Sequence, residues 1–249
     1  MLCKTAGEKW RTNIYPTTKF MMKTILVTGA NGNLGTTVVR QLHGQGHRIC
    51  ATVGRGDLPE DFTKMTVDAR SVNLTDETAS LQYIEEILRL QPDLSAAVLL
   101  VGGFAMGNIA ETNGEAIDRQ IALNFKTAYF IVRPLMDFFE NRGGGQFILI
   151  GARPALSPQA GQNLVAYAFS KSLVFQLAEI INAAGKGKRI TATVLVPSTI
   201  DTQPNRQALP NADFSKWIKA EDIAETIAFV LSEAGATLRE TVLKVYNES

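Results

Sequence analysis

The stretch Lys23-Thr24-Ile25-Leu26-Val27-Thr28-Gly29-Ala30-Asn31-Gly32-Asn33-Leu34-Gly35 decides the fold. A short apolar, β-branched run reads as a strand buried on both faces. Three glycines follow at 29, 32 and 35, and helical periodicity then runs from 33 to 45. Glycine permits a tight turn, lets the backbone approach a pyrophosphate, and lets helix and strand pack closely. The helix N-terminus offers N–H groups and the positive end of a dipole to phosphates. A glycine pattern alone is equally a plain turn. With a strand before it and a helix after it, near the start of an alternating chain, it reads as a dinucleotide site made by Gly29, Asn31, Gly32, Asn33, Leu34 and Gly35.

Outward from this stretch, strand and helix patterns alternate. Strands are expected at 23–28, 48–53, 65–72, 96–102, 145–151, 189–196 and 241–246. Helices are expected at 33–45, 76–90, 113–141, 165–184 and 220–233. That order predicts an α/β fold: a single doubly wound parallel sheet of Rossmann type with helices on both faces. One catalytic domain is expected over 23–249, with a substrate loop at 197–217 long enough to act as a lid. Residues 1–22 lack the apolar core of a signal peptide and read as a disordered extension or the product of an upstream start codon, with an arm anchored on a partner subunit by Trp10 and Tyr15 as the functional alternative.

Composition narrows the function classes. The 249 residues are 45% hydrophobic and 20% charged, with a formal net charge of +1. No basic block points to nucleic acid, and no apolar run is long enough to cross a membrane. The two cysteines, Cys3 and Cys50, make neither a disulfide framework nor a metal spacing, which fits a reducing, cytoplasmic compartment. His43 and His47 stand four apart, but glycines interrupt the helix there, and no metal site is expected.

A second motif, Tyr167-Ala168-Phe169-Ser170-Lys171, puts a phenol and an ammonium on one helix face. A free phenol titrates near 10, and a neighbouring ammonium is expected to lower that value toward useful proton exchange. Tyr167 is then a proton donor and Lys171 its partner. The strand ending Val53-Gly54-Arg55 lacks the carboxylate that would bind a ribose 2′-hydroxyl. Arg55 can instead pair with a 2′-phosphate, which favours NADP over NAD; the alternative is a solvated Arg55 with Asp57 on the ribose. Asn73 and Leu74, ending the third strand, are placed to touch the adenine.

On these residues the chain resembles the short-chain dehydrogenase/reductase family, over 24 to about 247. The resemblance rests on the glycine turn, Asn73-Leu74-Thr75-Asp76, Asn124, Tyr167 with Lys171, and Pro197-Ser198-Thr199-Ile200-Asp201-Thr202. It implies that Tyr167 and Lys171 carry the chemistry and that Lys171 also bonds the nicotinamide ribose. It further implies that Asn124 supports a water in the proton relay, and that Pro197, Thr199, Ile200 and Thr202 contact the nicotinamide. The family's serine, 13 residues before the tyrosine, is here Pro154, unless Ser157 fills in. Val101-Gly102-Gly103-Phe104 replaces the usual Asn-Asn-Ala-Gly, leaving Gly102 and Gly103 beside the cofactor. Both departures, with the long loop through Pro210-Asn211-Ala212-Asp213-Phe214-Ser215-Lys216-Trp217, resemble the dihydropteridine reductase branch.

The expected function is therefore an NAD(P)H-dependent reductase of an electron-poor carbonyl, imine or quinonoid small molecule, pteridines included. Phe104, Arg153, Ser157 and Trp217 are the candidate substrate residues; Trp217 is equally an anchor of its loop. Phe125, Tyr129, Phe130, Phe138, Phe139, Phe175 and Leu177 exceed what one sheet face needs, and the resemblance implies a homodimer or homotetramer paired through their helices; the alternative is that they are ordinary core. The rival reading is a dinucleotide-binding sensor without turnover, favoured by the missing serine and opposed by the intact Tyr–Lys pair.

Overall fold

The computed structural model describes residues 22–54 and 59–248. The extension expected at 1–22 lies outside them except for exposed Met22, and so do Arg55 and Asp57. The chain runs β1 (Thr24–Thr28), α1 (Asn33–Gly44), β2 (Arg48–Val53), α2 (Phe62–Met65), β3 (Thr66–Ser71), α3 (Glu77–Leu90) and β4 (Leu94–Leu99). It continues with α4 (Gly114–Ile121), a π-helical segment (Ala122–Lys126), α5 (Thr127–Arg142) and β5 (Gly145–Ile150). Then come α6 (Pro158–Gly161), α7 (Val165–Ala184), β6 (Ile190–Pro197), α8 (Gln203–Ala208), α9 (Ala220–Leu231) and β7 (Val242–Val245).

The seven strands form one parallel sheet in the order β3-β2-β1-β4-β5-β6-β7. The winding reverses between β1 and β4, and that reversal opens a crevice at the carboxyl ends of the strands. Side chains along a strand alternate between faces, so each strand feeds two cores. Ile25, Val27, Val98 and Ile148 face α1 and α9, where Val38, Leu42, Ile223 and Ile227 cover them. Leu26, Ala97, Phe147 and Val194 face the other way, against Ile84, Leu135, Phe139 and Ile181 of α3, α5 and α7.

Three expectations need correction. β4 was expected at 96–102 but ends at Leu99, after which the backbone leaves the sheet to border the crevice. The helix expected at 113–141 is two helices joined by the π-helical turn at 122–126, an extra-residue insertion that swings Asn124 toward the loop after β4. The loop at 197–217 contains α8 and a 3₁₀ turn at Phe214–Lys216. The apolar excess on the long helices also proves to be largely internal. Phe139 and Leu177 lie in the core, Phe125, Phe138 and Phe175 pack against it, and of the seven Tyr129 is exposed.

Gly145 begins β5 where the Phe139 ring covers it, and a Cβ there would come within 2.2 Å of that ring. Phe139→Ala is expected to cost about 3–5 kcal/mol of stability in urea unfolding. Gly145→Ala is expected to destabilise as well. The double variant should lose less than the sum of the two, because the methyl then enters space that the ring has left.

Candidate active site

The crevice is a cleft of about 440 Å³, lined by Gly29, Thr52, Val53, Gly54, Asn73, Leu74 and Val101 among others. Its floor is the turn after β1. Gly29 sits at φ 66°, and a Cβ there would come 3.2 Å from the Val101 side chain. A Cβ on Gly35 would come 2.1 Å from the Gly29 carbonyl, so the first turn of α1 packs directly on the loop. The Ala30 N–H donates to the Thr52 carbonyl at 2.9 Å, and the Gly54 N–H donates to Asn31 Oδ1 at 3.2 Å. These bonds join the ends of β1 and β2.

α1 starts after Gly32 with no side-chain cap and no acidic residue in its first turn. The N–H groups of Asn33, Leu34 and Gly35 have no carbonyl within the helix to bond, so they and the positive dipole end suit an anion. Gly32 and Asn33 are exposed, while Leu34 packs partly against the core. The cradle, the bare helix end and the cleft over Asn73 and Leu74 together fit a dinucleotide.

Tyr167 and Lys171 lie on the first two turns of α7. The phenol packs edge-on against Phe104, with ring centroids 5.3 Å apart and planes at 66°. Burial pushes its pKa up to about 12. The Lys171 ammonium is buried, donates to the Ile150 carbonyl at 2.8 Å, and is lowered by burial to about 8. The expected lowering of the phenol by the ammonium is not seen: loss of water around the hydroxyl raises it, and the phenol keeps its proton at neutral pH.

Asn124 is buried and fully engaged. Its Oδ1 accepts from the Gly103 N–H at 2.9 Å. Its Nδ2 lies 3.0 Å from the Gly103 carbonyl, 2.8 Å from Gln120 Oε1 and 3.1 Å from Ser170 Oγ. Ser170 Oγ donates in turn to the Tyr167 carbonyl at 2.8 Å. A Cβ on Gly102 would meet Asn124 Oδ1 at 2.7 Å and Lys171 Nζ at 3.3 Å, so Gly102 brings its bare backbone against both.

The remaining candidates divide. Phe104 is 63% exposed beside Tyr167. Ser157 is spent on the cap of α6, accepting from the Ala160 N–H, and Arg153 lies over the Tyr246 ring at 5.5 Å. Trp217 is buried against Phe214, with centroids 4.8 Å apart, and its carbonyl accepts from Asn247; this is the loop-anchor arrangement. Pro197 ends β6, Thr199 accepts from the Ile218 N–H, Ile200 accepts from Asn205 Nδ2, and Thr202 caps α8. They hold the start of the 197–217 loop. His47 is buried, its Nδ1 accepting from the Lys23 N–H at 3.1 Å. Among the described residues no group of three or more His, Cys, Asp or Glu could hold a metal, and no helix is long and apolar enough to cross a membrane.

The sequence reading missed Thr52, Ser71, Val72, Thr75, Leu123 and Thr127 of the cleft wall. The first four sit at the carboxyl ends of β2 and β3, which the crevice rule points to. Leu123 and Thr127 reach the cleft through the π-helical turn, which leaves no pattern in the sequence.

Comparison with known proteins agrees with this geometry. The family model described as short chain dehydrogenase matches residues 23–213. A dihydropteridine reductase of Dictyostelium discoideum is 25% identical over 83% of this chain and 87% of its own. An acetoacetyl-CoA reductase of an Acinetobacter strain is also 25% identical, over 90% of this chain and 96% of its own. The solved structure described as ElxO with NADP bound superposes with a TM-score of 0.80 at 19% identity, covering 90% of this chain and 97% of the other.

Burial lowers Lys171 from 10.5 to about 8, so between those values the unfolded chain binds a proton that the folded chain has released. Stability gained from this group therefore rises with pH across that window. Lys171→Met is expected to remove on the order of 2 kcal/mol of that rise between about pH 7 and pH 10, read as the difference between the two proteins in urea unfolding.

Proposed function

The chain belongs to the short-chain dehydrogenase family and is an NAD(P)-dependent oxidoreductase, and from that premise we propose that it transfers hydride to an electron-poor small molecule, a carbonyl, imine or quinonoid ring, with quinonoid pteridines the favoured class. The observation that carries this reading is that Tyr167, among the described residues, has no serine beside it at the family's second donor position. Tyr167 stands alone beside Phe104, because position 154 is proline and Ser157 is committed to its helix cap. A ketone reductase gains from a second donor that polarises the carbonyl. A quinonoid ring is already electron-poor and needs that donor less. The acetoacetyl-CoA reductase relative keeps ketones in the comparison.

A bound nicotinamide cofactor supplies the hydride. The glycine turn and the first turn of α1 hold its phosphates, and Asn73 and Leu74 its adenine end. Gly102 and Gly103 border it, and Pro197, Thr199, Ile200 and Thr202 shape the nicotinamide side. Arg55 favours NADP over NAD, and the ElxO structure binds NADP. Tyr167, kept protonated by burial, gives its proton to the acceptor oxygen or nitrogen as negative charge develops there. Lys171 compensates the phenolate left behind and bonds the ribose. Asn124 acts as a positioning residue for the relay, holding the loop that bears Phe104 and the turn that bears Tyr167. Phe104 is the wall on which a flat ring stacks, and Arg153 shapes the outer rim; Ser157 is held by its helix cap and Trp217 anchors its loop. Exposed Tyr129, Phe169 and Ile180 on α5 and α7 support a dimer or tetramer, which sedimentation would test.

Tyr167→Phe is expected to lower kcat by at least about 100-fold while leaving NADPH affinity within about twofold. Wild-type kcat/KM should be higher for quinonoid dihydropterin than for simple ketones or acetoacetyl-CoA. Equal or faster ketone reduction would overturn the substrate class, and NADH binding as tight as NADPH would overturn the cofactor preference.

A further inference from the structure

At the end of the sheet opposite the cleft, where β6 and β7 begin, a second cavity of about 310 Å³ opens between the C-terminus of α7 and the residues that lead into the two strands. Its walls carry Lys186, Arg189, Arg239 and Glu240 beside the backbone of Gly185 and Gly187. This volume is in the range of sites that hold small molecules.

Among the described residues, none of these four charged side chains is in an ion pair. Lys188, between two of these cations, is paired with Glu140 at 2.8 Å. Lys186 and Arg189 make no ion pair among the described residues. Arg239 donates one nitrogen to the carbonyls of Ala236 and Leu238, both at 2.7 Å. Those bonds steady its guanidinium without neutralising it. Cations after α7 complement the negative end of that helix, which accounts for Lys186. It does not account for Arg239, which arrives from a distant part of the chain.

The backbone is strained at the same place. Arg189 and Glu240 take left-handed conformations, at φ 57° and 53°. Among the described residues, Asn247 is the third non-glycine with positive φ, so two of the three meet in this cavity. Each closes the turn into its strand, a position that glycine fills without cost. Keeping an arginine and a glutamate there retains two side chains at the expense of backbone strain, a pattern typical of ligand sites.

We propose that this cavity binds a small hydroxylated phosphate monoester. The Arg189 guanidinium, the remaining nitrogens of Arg239 and the Lys186 ammonium suit the oxygens of a dianionic phosphoryl group, for which arginine geometry is matched. Glu240 would repel a bare anion. Beside the phosphoryl group, however, its carboxylate accepts hydrogen bonds from hydroxyls on the rest of the ligand, and that selects an ester over inorganic phosphate. The site lies at the other end of the strands from the dinucleotide cleft and does not depend on the substrate assigned above.

The test titrates the full chain at low ionic strength with ribose 5-phosphate, inorganic phosphate and ribose, by calorimetry and by amide hydrogen exchange. Ribose 5-phosphate is expected to bind and to protect residues 185–190 and 238–241; ribose should not bind. Lys186→Gln and Arg189→Gln should each weaken it by about tenfold, with unchanged circular dichroism. Glu240→Gln should abolish the preference for the ester over inorganic phosphate. Unaltered affinity in the folded cation variants, or protection confined to 29–36 of the dinucleotide turn, would overturn the site. Equal binding of ester and inorganic phosphate by wild type would overturn the ligand class.

Discussion

The geometry of the candidate active site hangs on the side-chain amide of Asn124. It pairs with both the N–H and the carbonyl of Gly103, as a neighbouring strand would, and so replaces the sheet bonding that the chain gives up after Leu99. Through Ser170 the same amide reaches the carbonyl of Tyr167. Three segments distant in sequence are thereby locked in register: the loop bearing Phe104, the π-helical turn, and the start of α7. An unpaired buried amide is costly, so this arrangement is close to all or none.

The π-helical turn is the geometric consequence. An unbroken helix over 114–142 would have placed residue 124 by the ordinary 100° step. One additional residue in a turn shifts that phase and brings the amide to Gly103. Gly102 completes the fit, since any side chain there would strike the Asn124 amide and crowd the Lys171 ammonium. The burial that raises the phenol and lowers the ammonium follows from the same close packing.

Much of this was legible before the structure. The run from Thr24 to Gly35 carries its own instructions, because strand, turn and helix are each specified by neighbouring residues and the glycine clashes are local. The sheet order follows from alternation and right-handed crossovers. What could not be read depends on contacts across the fold. The early end of β4 and the π-helical turn exist because Gly103 and Asn124 meet, and their separation of 21 residues leaves no periodic trace. The short helices α6 and α8 did leave a trace, a capping Ser157 before Pro158 and Thr202 before Pro204, in a stretch otherwise read as loop. Trp217 was ambiguous because a bulky aromatic in a long loop serves equally as pocket wall or anchor, and burial alone separates the two.

The doubly covered sheet has an evolutionary corollary. Ile25 and Leu26 are covalent neighbours, yet they belong to different packing communities, one under α1 and α9 and the other under α3, α5 and α7. Sequence change in one layer can therefore be compensated within that layer without consulting the other. The molecule is free to drift as two loosely coupled halves that share a backbone. Lineages could remodel the helices around Tyr167 while the layer under the glycine turn stays as it was.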